Sequence, residues 1–206
     1  MKKVLAVAAA ALLCLPAIFA ENTVHFGMNF PISKVTADVN GNDTKANSTG
    51  FDGWADFTHV SERGFTWKAG LGVGSSSSDD IFEDDCHTID FDLSTGFGYS
   101  FIHDEKMTFS LTGNLGLFAQ DYELEKDYGV VSIESKCSPL AFYIGPEASF
   151  TYRFTEHFGA FANFGIFYQI GIAEYTIEIK GAGKYEETVD LSGFLFEPKI
   201  GLSWTF

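Results

Sequence analysis

Two sets of residues in this chain have the types that chemistry needs. The first is the run SSSSDDIFEDDCH at residues 75–87. Ser75 to Ser78, His87 and the acids Asp79, Asp80, Glu83, Asp84 and Asp85 supply the nucleophile, base and carboxylate of acyl-transfer chemistry. No nucleophile–base spacing is recognisable, however. The same acids are candidates for a divalent cation, but they lack the spaced ligands and the glycine of a calcium loop. The run fits a solvated acidic loop, so neither an enzyme nor a metal site is expected. The second set is dispersed: Asp90, Asp92, Glu147, Arg153, Glu197 and Lys199, with Lys68. Each sits in a segment of alternating polar and apolar residues, and what they can do depends on which way that alternation faces.

The alternation runs through nearly the whole chain beyond residue 20. Ile89, Phe91, Leu93, Phe97, Tyr99 and Phe101 alternate with Asp90, Asp92, Ser94, Gly96, Gly98 and Ser100. A period of two is that of a β-strand. Eight such stretches are expected, at about 23–30, 51–60, 65–74, 88–101, 107–118, 140–154, 158–172 and 193–206. The 51–60 stretch has the weakest pattern. Tight polar turns at 61–64, 103–106 and 155–157 alternate with longer connections at 31–50, 75–87, 119–139 and 173–192. This is the layout of an antiparallel meander, with both chain ends on the short-turn side. The connections at 119–139 and 173–192 contain their own alternating runs, so hairpins extending past the main sheet are expected there. The composition agrees, with 22 Phe and 21 Gly but only 5 Pro in 206 residues.

Eight strands close into either a soluble or a membrane barrel, and the placement of bulk decides between them. A soluble barrel fills its interior with apolar side chains. Here the face opposite Phe, Leu and Ile is Gly, Ser, Thr and Asn, which would waste strand stability on an outer surface. Turned round, the bulk meets lipid and the small and polar groups fill a narrow lumen. An eight-stranded antiparallel up-and-down transmembrane β-barrel with four long outer loops and three short periplasmic turns is expected. Phe101, Phe154, Trp204 and Phe206 fall where an interfacial girdle belongs. Pro146 and Pro198 lie within strands, and each should mark a bulge or a weakened pairing.

Residues 1–20 are a different object. A basic MKK precedes an apolar run ending in Ala, the pattern of an export signal cleaved between Ala20 and Glu21. The sequence thus divides into 1–20 as cleaved signal peptide and 21–206 as barrel. Leu13 before Cys14 does not fit a lipidation site. The formal net charge of −15 argues against nucleic acid as a partner. Cys86 and Cys137 are the remaining cysteines, and in an exported chain they can form one bridge, here between the second and third long loops.

The ending, FEPKIGLSWTF, sets Ile200, Leu202, Trp204 and Phe206 at alternate positions. It is similar to the C-terminal signal that outer-membrane barrels present to their assembly machinery. The chain as a whole resembles the small eight-stranded outer-membrane barrels of diderm bacteria, among them the OmpA membrane domain, OmpX and OmpW. The resemblance implies a location in the bacterial outer membrane, with outer-membrane lipid, the barrel-assembly machinery and periplasmic chaperones as partners, and no cofactor. It also implies a lumen that serves small hydrophobic molecules in OmpW-like barrels. The inward Phe118, Tyr143, Phe161, Phe167 and Leu195 could line such a path, while Glu147, Glu197 and Lys199 could pair across the tube as a plug or gate. Two functions stay open: a narrow passive conduit for small, hydrophobic molecules, or an anchor or adhesin whose loops bind a host-surface ligand. Deleting Phe206 should reduce correctly inserted barrel far more than it reduces synthesis or export. Comparing heat-modifiable barrel with total secreted chain checks this, and normal insertion would refute it.

Overall fold

In the computed structural model, described over residues 20–39, 42–78, 88–127, 132–179 and 183–206, every element is a β-strand. The strands are β1 (Ala20–Asn29), β2 (Ile32–Val39), β3 (Asn42–Ser61), β4 (Phe65–Ser78), β5 (Thr88–His103), β6 (Met107–Asp127), β7 (Ser132–Arg153), β8 (Phe158–Ile179) and β9 (Gly183–Thr205). All neighbours pair antiparallel, and β9 returns to β1 and β2, so the sheet closes on itself. β1 and β2 form one stave, interrupted at Phe30–Pro31, because β1's register with β9 continues unshifted into β2 (Asn29↔Lys199, then Ile32↔Phe196). The barrel therefore has eight staves. The seam is completed by Phe206 and Asn22, whose backbones exchange hydrogen bonds in both directions.

The expected long connection at 31–50 is corrected. Its residues form β2 and the first part of β3, paired from Ile32↔Thr49 to Val39↔Asn42. Pro31 lacks an amide donor and breaks the ladder for only two positions, after which the strand resumes. The extensions expected at 119–139 and 173–192 are strands too, giving β6 to β9 lengths of 21 to 23 residues. A membrane crossing needs about 9–11 residues, so these staves project well beyond the apolar band.

Neither Pro146 nor Pro198 causes a bulge. Pairing of β7 with β8 lapses between Ile144↔Tyr168 and Glu147↔Gly165 with the register kept. Pro198 faces the break at Phe30–Pro31 on the neighbouring stave, and its carbonyl accepts the Phe30 N–H at 3.0 Å. Two prolines thus share one gap in the seam. The bulge lies instead between Ser100 and Ile102 on β5. The extra residue reverses the alternation, so that Phe101 and Ile102 are both exposed and His103 is set opposite the inward Thr108. Below it, the turn is pinned by Asp104, whose carboxylate accepts the backbone N–H groups of Lys106 and Met107 at 2.8 Å each. Those two bonds hold the Asp104 carboxyl below its ordinary range.

Within the belt, and away from the β5 bulge, side chains sort by parity. Phe142 and Ile144 are 63% and 65% exposed, while Tyr143 between them is buried. Near the turns, rings meet edge to face (Tyr99 with Phe101, Tyr152 with Phe154) and His157 stacks on Trp204. The inward side is polar or bulky, and the inward glycines make room for that bulk. A Cβ on Gly70 would lie 2.4 Å from the Trp54 ring, and one on Gly116 would lie 2.2 Å from the Tyr143 ring. Large groups from one wall therefore occupy space that another wall leaves empty. An apolar belt outside and buried charge inside are the arrangement of a membrane barrel. Leu115→Arg, in the middle of the belt, should cost roughly 2–4 kcal/mol in reversible denaturant unfolding from bilayers. Tyr185→Arg, on the projecting part of β9, should cost far less.

Candidate functional site: a charged lumen beneath an apolar cavity

The lumen fills in layers. At its centre Glu147, on β7, is 1% exposed and lies between two lysines. The Lys68 ammonium, from β4, contacts Glu147 Oε1. The Lys199 ammonium, from β9, reaches Glu147 Oε2 at 3.2 Å and Glu197 Oε2 at 2.7 Å. Lys199 also sits 3.7 Å from the centroid of the Trp54 ring, which offers it a negative π face. Toward the turns, Asp56 gathers donors: His25 Nδ1 at 2.7 Å, Trp54 Nε1 at 2.9 Å and the Thr58 hydroxyl at 3.0 Å. Lys68 lies 4.0 Å from the same carboxylate. Asp56 thereby links the His25 stave to the central ion group.

Toward the long connections, Asn29 Nδ2 donates to Asp52 Oδ2 at 3.1 Å and Glu197 Oε1 at 3.3 Å. The Tyr143 hydroxyl donates to Asp92 Oδ1 at 2.8 Å. Asp90 stands higher still, with the Thr88 hydroxyl 2.8 Å away. Lys199 does pair with both Glu147 and Glu197, but not every inward acid has a base. Glu147 and Glu197 have lysine partners, but Asp90 and Asp92 are held by hydroxyls. The physical reason is supply, since only Lys68 and Lys199 reach the lumen's middle among the described residues, while Asp52, Asp56, Asp90, Asp92, Glu147 and Glu197 are all buried there. Arg153 is also buried but lies apart, at the turn end. It pairs with Glu21 at 2.5 Å and donates to the Asp104 carbonyl. Glu21 also meets His103 Nε2 at 2.9 Å, a contact the β5 bulge makes possible.

Above the ions, Phe118, Tyr143, Phe167 and Leu195 form one buried cluster, with the Tyr143 and Phe167 rings 4.8 Å apart. Phe161 does not join them; it packs lower, 4.5 Å from the His25 ring. Leu195 is fully enclosed, at 0% exposure, so the tube is filled at this level. Over this floor opens a cavity of about 260 Å³. Its walls include Val35, Ala46, Tyr122, Ala173, Val189 and Leu191. Cys137 lies in the same wall, packed with Tyr122 and Ala173. Cys86 and most of the 75–87 run lie outside the described residues, and so does the expected bridge from Cys86 to Cys137.

Trp54, Asp56, His25, Asn29 and Asp52 were missing from the set singled out by sequence. Four of them could have been found: Thr23, His25, Gly27 and Asn29 alternate with Val24, Phe26, Met28 and Phe30, and Asp52 and Asp56 share parity with Thr58. Trp54 could not, because a lone inward tryptophan in a weakly patterned strand mimics a lipid-facing one.

The fold and its contents define a class: a membrane-spanning β-barrel of eight staves with a filled, charged lumen. Its backbone is similar to the outer membrane protein OprG from Pseudomonas aeruginosa, with a TM-score of 0.53 at 15% identity, covering 91% of this chain and 96% of that one. It is also similar to a major outer membrane protein from Thermus thermophilus, with a TM-score of 0.52 at 12% identity, covering 87% of this chain and 99% of that one. At such identities the likeness is one of fold, and the fold is that of the small outer-membrane β-barrels. No protein-family model and no curated protein sequence matches the chain.

Removing one member of a buried ion group leaves the others uncompensated, which costs about 3–5 kcal/mol. Glu147→Leu should destabilise the barrel by that order, since two lysines lose their shared carboxylate. Lys68→Met added to Glu147→Leu should recover part of the loss, as read from denaturant midpoints.

Proposed function

We propose that this protein is an outer-membrane barrel that admits small apolar molecules into its outer lumen and passes them on only when the floor moves. The observation that carries this is the apolar cavity above Phe118, Tyr143, Phe167 and Leu195. Most of the wall surface is apolar, from Val, Leu, Ala and aromatic rings, with Ser33, Thr44, Asn47, Ser48, Gln120, Gln169 and Glu187 between them, so an apolar guest gains by leaving solvent there. Beneath the floor, the ion group around Glu147 offers such a guest no favourable contact and acts as a plug. Outer-membrane lipid is the partner of the exposed belt, and the alternating C-terminal residues are the feature that the assembly machinery and periplasmic chaperones would read.

The second function, an anchor whose projecting hairpins bind another surface, is favoured by the length of β6 to β9 beyond the belt. One experiment separates the two. In planar bilayers the refolded barrel should conduct ions poorly, because the lumen is filled. Intact cells expressing it should take up N-phenylnaphthylamine faster than cells without it, and Ala173→Trp, which fills the cavity, should remove the gain. Uptake that is equal with and without the barrel would sink the conduit and favour the anchor.

A further inference from the structure

The apolar cavity has a polar atom that the protein itself leaves unused. Gln169 lies on β8 at the cavity's deep end, between Phe167 and Gly171, and is 2% exposed. Its Nε2 donates to the Ser33 hydroxyl at 2.6 Å and, more weakly, to the Phe194 carbonyl at 3.5 Å. A backbone carbonyl only accepts, so the Phe194 contact favours the amide nitrogen on that side. The other end, Oε1, accepts no hydrogen bond among the described residues. Gln120, on β6, is different. Its Nε2 donates to Ser76 at 2.6 Å and its Oε1 accepts the Tyr122 hydroxyl at 2.9 Å, so both of its ends are occupied. Glu187, the carboxylate in the lining, already takes the Tyr185 hydroxyl at 2.8 Å on the projecting part of β9. The deep end therefore presents Gln169 Oε1 as a pre-set acceptor beside the Ser33 hydroxyl, while Thr44, Asn47 and Ser48 also line the cavity.

We propose that the cavity selects one-ring apolar molecules that carry a single hydrogen-bond donor, of which a phenol is the simplest, with Gln169 Oε1 receiving that donor. This rests on reading the cavity as a site for small apolar molecules and adds what the site discriminates. Size agrees: an apolar cavity of about 150 Å³ already takes benzene, and about 260 Å³ leaves room for a ring with short substituents. Position agrees as well, because a ring lying against Phe118 and Ala141 has Gln169 at the floor. A guest without a donor leaves the carbonyl oxygen unpaired in a dry site. A hydroxyl placed in the same cavity without an acceptor would itself be penalised. The amide thus reverses the ranking that a purely apolar cavity would impose.

The test uses three one-ring ligands: toluene, p-cresol with a para hydroxyl donor, and p-methylanisole, in which a methyl group blocks that donor. Each is titrated calorimetrically into the refolded full barrel in detergent, with empty detergent as the blank. p-Cresol should bind roughly 3- to 10-fold more tightly than either of the others, as one added hydrogen bond permits. In Gln169→Leu the preference should vanish, with toluene binding at least as well as p-cresol. Heat-modifiable migration confirms folding, and Gln169→Met, closer in shape, is the second variant if leucine is not accommodated. If the native barrel binds toluene as well as p-cresol, or if the variants keep the preference, the selectivity inference is overturned while the cavity stands. If none of the three binds, the cavity reading falls and takes this inference with it.

Discussion

Backbone pairing in a medium without water governs this molecule. An N–H or C=O facing hydrocarbon has no solvent partner, so a spanning sheet must have no edge. Eight staves are few, and once they close the tube is just wide enough for its own side chains. The lumen's contents follow from that radius. Trp54, Tyr143 and Phe167 fit because Gly70, Gly116 and Gly165 stand where a Cβ would collide with them. The prolines also obey the constraint, since Pro31 and Pro198 lie together in the seam, where one interruption of the ladder serves both.

The ion group is a consequence of the same closure. Charges that would be solvated on a soluble protein are enclosed here by the lipid-facing wall, and each must find its compensation within a few ångströms. Glu147 does so with two lysines, and Asp56 with an imidazole, an indole and a hydroxyl. Such a network costs desolvation and returns it only while complete, which makes it a good plug and a poor lubricant. The floor above it has a polar tie in the Tyr143 hydroxyl, which holds Asp92, whereas Phe118, Phe167 and Leu195 pack there through apolar side chains. Any movement that opens the tube is therefore easier to begin at Phe167 and Leu195 than at Glu147.

The alternation of bulk made the barrel, its sidedness and its inward residues readable from sequence. Asp90, Asp92, Glu147, Glu197 and Lys199 were placed by parity alone, because one residue of slip would put every one of them into lipid. What parity could not supply was height and azimuth. Phe161 and Phe118 share a face class yet sit in different layers, and Arg153 is inward yet far from Glu147. The strand pairing of 32–39 with 42–49 was hidden because the inward residues, Ser33, Val35, Ala37, Ala46 and Ser48, differ little from the outward ones. Nor does any local signal mark the bulge at Phe101, which follows from how β5 and β6 must meet at the turn.

The seam also has a place in time. The Thr23 and Thr205 hydroxyls, 3.0 Å apart, are separated by 182 positions in the chain. Contacts that distant must wait for all of the intervening chain, and their loop-closure entropy is spent before they return anything. Until the last stave arrives, β1 keeps an unpaired edge, and such an edge recruits other strands. The interval between the making of the first stave and the last is therefore the period in which this protein is most exposed to aggregation. Its length is set by the distance between the two ends of the sequence.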